Sequence, residues 1–401
     1  MDGGLFLLFV IAACIGLGYF ASDLSRLARE FLESRRSKHR FFYQGIKDLL
    51  ENKSDEAVDT FIHSLKVNEA TFDIHLALAN FLRRRGEFDR AIRIHQNLLE
   101  QDGVSSEKRY QVESELGRDF LKAGLLDRAE DIFTSLATHS DTPLDVVDRV
   151  ELSLIEIFED TSDWERAKSV ALQRYERSHY VNNIEMQSQA SAAICQHECE
   201  LYEDQRSASN EPGELKAILE SALTHDQSNM RPKLLSYSHL IQAGQLERAI
   251  DEVEAGIQQG VQHSKEFSHV VINDLDRFSS EQLERLHAIQ LANYRKEPSI
   301  SGLTCLAKLL ELRESGPAAV DFLLNELPVF PDLGAATELL VLVKERVPAS
   351  DRSGHLAVRS ILERLAKEQS CYECRQCGML LKTMHWRCPT CKNWSTVAQN
   401  N

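Results

Sequence analysis

The chain has 401 residues, 43% hydrophobic and 27% charged, which places it with ordinary globular proteins and excludes collagen-like or wholly disordered classes. Nine prolines and eighteen glycines are few for this length, so long helices are favoured over a many-turned β protein. A net charge of −16 argues against nucleic acid as the main partner, since a phosphate backbone wants a basic face.

From Gly3 to Ser22 the chain runs without a charged side chain, about the 20 residues that a helix needs to cross a bilayer core. Only Met1 and Asp2 precede it, so the basic start of a cleavable signal peptide is missing, and residues 3–22 read as a retained transmembrane helix in which Cys14 is simply apolar. The next segment, 23–40, carries Arg26, Arg29, Arg35, Arg36, Lys38 and Arg40 against Glu30 and Glu33. Basic residues on that side alone put the N-terminus outside and the bulk of the chain in the cytoplasm.

Residues 41–367 read as one repeated helical pair. GEFDRA (Gly86 to Ala91), GLLDRA (Gly124 to Ala129), SDWERA (Ser162 to Ala167) and GQLERA (Gly244 to Ala249) share a frame, and NKSDEA ending at Ala57 is a weaker copy. The alanines at 57, 91, 129 and 167 step by 34, 38 and 38, and GELKA (Gly213 to Ala217) marks a further unit before Ala249. That period is the tetratricopeptide signature. Around Gly86, Ile74, Ala77, Leu78, Phe81 and Leu82 form one helical stripe, and Ala91, Ile94, His95 and Leu98 form the next. Gly86 suits a left-handed helix end, Asp89 the first turn that follows, and the alanine a close helix approach. The frame continues in Gly45, Ala79 and Gly117 on first helices and in Phe61 and Phe133 on second helices. Further on, Leu283, Leu286, Ala288, Leu303, Leu306, Leu309 and Leu310 carry apolar stripes, and Gly316 to Leu327 looks like another second helix. The breaks are too short for flexible linkers, so the expectation is a continuous solenoid that offers a surface to a peptide or protein partner. Cys195, His197, Cys199 and Cys305 read as packing residues, because two thiols on one helix do not make a four-ligand site.

Five of the nine cysteines fall in the last thirty-one residues. Within residues 368–401, Cys374-x2-Cys377 and Cys388-x2-Cys391 are two tight-turn pairs ten residues apart, each offering two sulfurs, together a tetrahedral site. Gly378 permits the first turn, Pro389 stiffens the second, and the stretch between can form short strands. So small a domain has almost no core, and metal binding supplies much of its folding energy. Cys371 forms an alternative x2 pair with Cys374 but lacks a following glycine, which leaves it a spare thiol; His385 reads as an exposed hairpin residue. Four thiolates suit zinc or iron equally. The fold class expected is therefore all-α: a tetratricopeptide superhelix with an N-terminal transmembrane helix and a small C-terminal rubredoxin-like or zinc-ribbon β knuckle. The knuckle is expected to cap the last helical pair and to serve as a docking platform.

In the order of its parts, in Arg85 to Glu100, Leu116 to Phe133 and the W-x-C-P-x-C-x-x-W box of Trp386 to Trp394, the chain resembles the lipopolysaccharide assembly protein B family of Gram-negative bacteria. The resemblance implies a single-pass inner-membrane protein with a periplasmic N-terminus and an iron-binding, rubredoxin-like knuckle. It also implies an adaptor that helps an FtsH-type membrane protease degrade the deacetylase committing precursor to lipid A. A link to lipopolysaccharide transport and assembly proteins belongs to the same implication, and a homo-oligomer is compatible with it. Cys371 departs from the family pattern.

No H-E-x-x-H, G-x-x-x-x-G-K-[ST] or G-x-S-x-G occurs, so the expectation is a protein without catalytic residues of its own. The rival is an electron-transfer or redox-sensing protein using iron at the knuckle, disfavoured because no flavin or haem motif accompanies it. A nucleic-acid-binding zinc ribbon is disfavoured by the acidic balance.

Overall fold

The repeated six-residue frame marks where the chain reverses. The computed structural model describes residues 71–101, 104–207, 212–258, 265–328, 333–343, 351–368 and 370–399; the expected span 3–22, the basic segment 23–40 and the repeat positions Gly45, Ala57 and Phe61 lie outside them. The chain divides into two units, Met1–Ile157 and Phe158–Asn401. The described helices begin with α1 (Phe72–Arg84), α2 (Phe88–Leu99), α3 (Ser106–Lys122), α4 (Leu126–Thr138) and α5 (Leu144–Asp160). They continue with α6 (Trp164–Tyr180), α7 (Ile184–Ser207), α8 (Pro212–His225), α9 (Met230–Gln242), α10 (Leu246–Gln258) and α11 (Lys265–Val271). The last are α12 (Ser280–Lys296), α13 (Ile300–Arg313), α14 (Gly316–Glu326), α15 (Leu333–Val343) and α16 (Arg352–Glu368).

The frame's first residue stands in the left-handed region at every full copy: Gly86 at φ 82°, Gly124 at 77°, Ser162 at 56° and Gly244 at 69°. The residue after it donates its amide to a carbonyl five back, as Glu87 does to Leu82 (3.0 Å), Leu125 to Phe120 (2.9 Å), Asp163 to Phe158 (2.8 Å) and Gln245 to Leu240 (2.9 Å). Helix-end carbonyls are thereby satisfied and the next helix is aimed back along the first. The turn between α6 and α7 has the same form with Asn182 at φ 50°, although no frame motif marks it in the sequence.

The frame's last residue sits where two helices touch, and Ala91, Ala129, Ala167 and Ala249 are all fully buried. In the first unit a Cβ on Gly117 would lie 2.5 Å from Phe133 Cε1, so the glycine of α3 is the space that the α4 phenyl fills. The α2 stripe is the expected one, Ala91, Ile94, His95 and Leu98. On α1 the phase is turned: Phe72, His75, Leu76, Leu78, Ala79 and Leu82 are buried, whereas Ala77 is exposed and Phe81 is 43% exposed under the Arg85 guanidinium. The expected unit at GELKA is a helix, α8, but Ala217 is exposed, and Leu215, Leu219 and Ala222 face the core instead; on α12 Leu283 and Leu286 are buried as expected, but Ala288 is exposed. Its partner α7 is a 24-residue helix, longer than a repeat allows, so the frame does not carry across this pair.

The knuckle is a three-stranded antiparallel sheet in the order β2-β1-β3, built from β1 (Tyr372–Cys374), β2 (Leu380–Leu381) and β3 (Val397–Gln399). β2 falls within the stretch between the cysteine pairs, as expected; β3 closes the other edge, with Cys374 opposite Val397. Among the described residues, the knuckle is seated on other helices than the expected last pair. Its hydrogen bonds and ring contacts go to α5, α7, α9, α11 and α13, while Val358, Ile361 and Leu365 of α16 are 42–50% exposed. On those helices the knuckle meets both charged and aromatic partners: Trp394 and Arg387 bond Glu159, Lys392 pairs with Asp160, and Trp386 packs against the apolar core.

Candidate metal centre and the face it docks on

Two turns of the same form bring the four sulfurs together. Gly378 N donates to Cys374 O at 2.8 Å, and Lys392 N donates to Cys388 O at 2.9 Å. Gly378 (φ 72°) and Lys392 (φ 59°) are both left-handed, so the second turn places a lysine where the first has glycine. The sulfurs of Cys374, Cys377, Cys388 and Cys391 lie within 4.8 Å of one another, with Cys374 to Cys391 and Cys377 to Cys388 both at 3.7 Å. A metal with sulfur bonds of about 2.3 Å holds tetrahedral sulfurs roughly 3.8 Å apart, so the set fits one ion. Thr396 Oγ1, 3.3 Å from Cys374 Sγ, holds that thiol down to about 6, and the Asn393 amide lowers Cys391. Cys377 is drawn down by the Met379 amide, but desolvation and the neighbouring thiols outweigh it and push it up to about 12. Four sulfurs this close share ionisation poorly unless a cation stands among them.

Cys371 is half-buried against the knuckle's small core of Tyr372, Leu381 and Val397 and lies outside the four-sulfur group. His385 is exposed, as expected. Cys195 and Cys199 are packed with Tyr202, Leu215 and Leu219, and Cys305 lies in the core around Tyr237 and Phe267.

The two tryptophans of the W-x-C-P-x-C-x-x-W box turn outward from the sulfurs onto the second unit's helices. Trp394 Nε1 donates to Glu159 Oε1 at 2.8 Å, and its ring stands edge-on to Trp164 (6.3 Å) and His197 (6.5 Å). The Arg231 guanidinium lies 5.7 Å from the Trp394 ring and 6.0 Å from Trp386, which packs against the main core of this unit. Arg387 bonds Glu159 and Asp160 at 3.0 Å each, and Lys392 pairs with Asp160. Those two cations hold the Asp160 carboxyl low against the opposing effect of burial. Three further contacts tie the sheet down: Ser395 to Gln196 (3.1 Å), Tyr372 to Glu266 (3.2 Å) and Gln399 to Ser301 (2.8 Å). The sequence alone marks none of these solenoid residues as a docking residue, and His197 reads there as packing. The one available signal was Lys392, a lysine at a position whose backbone prefers glycine.

These features define a tetratricopeptide-repeat protein with a C-terminal rubredoxin-type domain carrying a four-cysteine cluster for a metal ion. Family models agree on both parts: residues 74–103 match a tetratricopeptide repeat, and residues 372–399 match a rubredoxin metal binding domain. Along nearly its whole length the chain resembles lipopolysaccharide assembly protein B. It is 28% identical to that protein of Escherichia coli K12 over 397 residues, covering 98% of this chain and 97% of the relative. It is 27% identical to that of Haemophilus influenzae over 411 residues, with the same coverage. Among solved structures, a Rap protein complexed with competence and sporulation factor covers 83% of this chain and 87% of its own, with 12% identity and a TM-score of 0.26.

Proposed function

We propose that the protein is an inner-membrane-anchored adaptor, its bulk in the cytoplasm, that acts in lipopolysaccharide assembly by presenting the lipid A committed-step deacetylase to an FtsH-type membrane protease. The observation that supports this reading most is the likeness to lipopolysaccharide assembly protein B along 98% of the chain. A helical-repeat scaffold supplies surface and not chemistry, so proteolysis under this reading belongs to the partner. Anchoring helps because a client held beside a membrane protease meets it at a raised local concentration without any new contact. Deleting Gly3 to Phe20 is expected to raise deacetylase levels in cells while the remaining chain still folds. Deacetylase turnover that is unchanged on complete loss of the protein would falsify the reading.

Cys374, Cys377, Cys388 and Cys391 are proposed as the ligands of one zinc or iron ion, which when bound supplies the cross-link that a domain this small lacks as a core. The chain's own part is to hold the sulfurs in place through the Gly378 and Lys392 turns. Metal analysis of the purified chain tests the assignment. One equivalent is expected, coloured if iron and colourless if zinc, falling to none in Cys388→Ser; retained stoichiometric metal in that variant counts against the ligand set.

A further inference from the structure

Beneath the knuckle five helices bury polar side chains, Glu159, Gln196, His197, Arg231, Glu266 and Ser301, each no more than 9% exposed, beside the apolar ring of Trp164. A permanent joint between two folded parts is cheapest when apolar, because every buried polar group must recover the hydrogen bonds it gave up to water. This face does not recover them all. His197 Nδ1 and Arg231 Nε are buried without a hydrogen-bond partner among the described residues. What seats on the polar part of the face is an indole that donates its N–H to Glu159, with two cations beside it, Trp394 with Arg387 and Lys392.

We propose that this face is a partner-binding groove, held shut by the chain's own knuckle, and that the partner it admits is a peptide segment bearing a tryptophan flanked by basic residues. The proposal rests on the adaptor reading and specifies the partner's chemistry. Charge complementarity fixes that chemistry: Glu159 and Asp160 take the two cations, and Trp164, His197 and Arg231 form the shelf for the indole. Because the knuckle is part of the same chain, its effective concentration at the groove is on the order of millimolar, and an outside segment competes only when the knuckle's hold is weakened.

The test uses full-length, metal-loaded protein in detergent and a fluorescent peptide of residues 384–396 with serine in place of Cys388 and Cys391. Arg387→Ala with Lys392→Gly removes the knuckle's cations, and glycine suits the left-handed turn at 392. This double variant is expected to bind the peptide at least tenfold more tightly than the unaltered protein, with faster hydrogen exchange across residues 384–396. Asp160→Lys breaks the same contacts from the groove side and is expected to speed that exchange without any gain in peptide binding. Equal peptide binding by the double variant and the unaltered protein overturns the proposal; so does a gain in Asp160→Lys, and so does unchanged exchange in the double variant. All readouts come from purified protein, so failure here leaves the cellular measurement of deacetylase turnover to decide the adaptor reading separately.

Discussion

Trp394 and Glu159 meet across 235 positions of sequence, the indole N–H donating to a carboxylate that is 9% exposed. The same carboxylate also accepts from His197 Nε2 at 2.9 Å and pairs with Arg387 at 3.0 Å. One side chain at the end of α5 therefore satisfies three donors, two of them brought by the knuckle.

Glu159→Ala leaves His197 buried without its acceptor, and strips Trp394 and Arg387, both half-buried, of theirs at this carboxylate. Removing one partner of a buried, charge-assisted set costs about 3 kcal/mol. The loss is expected as a lower denaturation midpoint followed by tryptophan fluorescence. A change below about 0.5 kcal/mol, the range of an ordinary surface substitution, would show that the carboxylate does not hold the knuckle.

Gly117→Ala sets two effects against each other. Alanine gains up to about 1 kcal/mol of helix propensity, but its Cβ would stand 2.5 Å from the Phe133 ring, and overpacking of that kind costs about 1–3 kcal/mol. With a mid-range clash of about 2 kcal/mol against that gain, a net loss of about 1 kcal/mol is expected in urea denaturation. Adding Phe133→Leu is expected to recover part of the loss, and a neutral single variant would mean that the ring moves freely.

Ser162→Gly should stabilise. Ser162 is held at φ 56°, where a side chain costs about 1–2 kcal/mol, and glycine returns part of that gain as unfolded-state entropy. A net rise of about 1 kcal/mol in unfolding free energy is expected. The mirror substitution, Gly244→Ala at φ 69°, is expected to lower stability by a similar amount, and the same sign in both would refute the argument.

Glu266 gives the knuckle joint a pH dependence. Burial pushes its carboxyl from 4.5 up to about 7, against the opposing pull of the Tyr372 hydroxyl and of Lys265. Between those values the folded chain keeps a proton that the unfolded chain has released. The contribution is therefore fully present below pH 4.5, declines as pH rises, and is gone above pH 7, about 3 kcal/mol across the window. Glu266→Gln should flatten this part of the stability profile between pH 5 and 7, and should be the more stable form at about pH 8. Matching profiles for the two proteins would remove Glu266 as the titrating group.

Much of the fold was legible because it is local. A helix end needs a residue that tolerates the left-handed region, a close crossing needs alanine, and both recur at a fixed step, so the turns at Gly86, Gly124, Ser162 and Gly244 and the buried alanines after them could be read from the letters. The cysteine pairs were legible for the same reason, since a tight turn presenting two sulfurs is complete within five residues. The α1 stripe was misplaced by its phase, because the period of a helix shows in its sequence while the direction it faces depends on what packs there. Ala217 failed for a related reason: the α7–α8 pair follows a different spacing. In the first unit, Arg83 pairs with Glu115 and Asp119, and His95 bonds the same Asp119, a polar network across α1, α2 and α3 that no spacing announced.

The sequence by itself determined the repeat, the thiolate cluster and the order of the parts, because each is specified by neighbours along the chain. Only the tertiary structure decided where the knuckle rests, among the described residues on α5, α7, α9, α11 and α13 rather than on the expected last pair. That choice depends on side chains up to 235 positions apart whose charges and rings match only once both surfaces have folded.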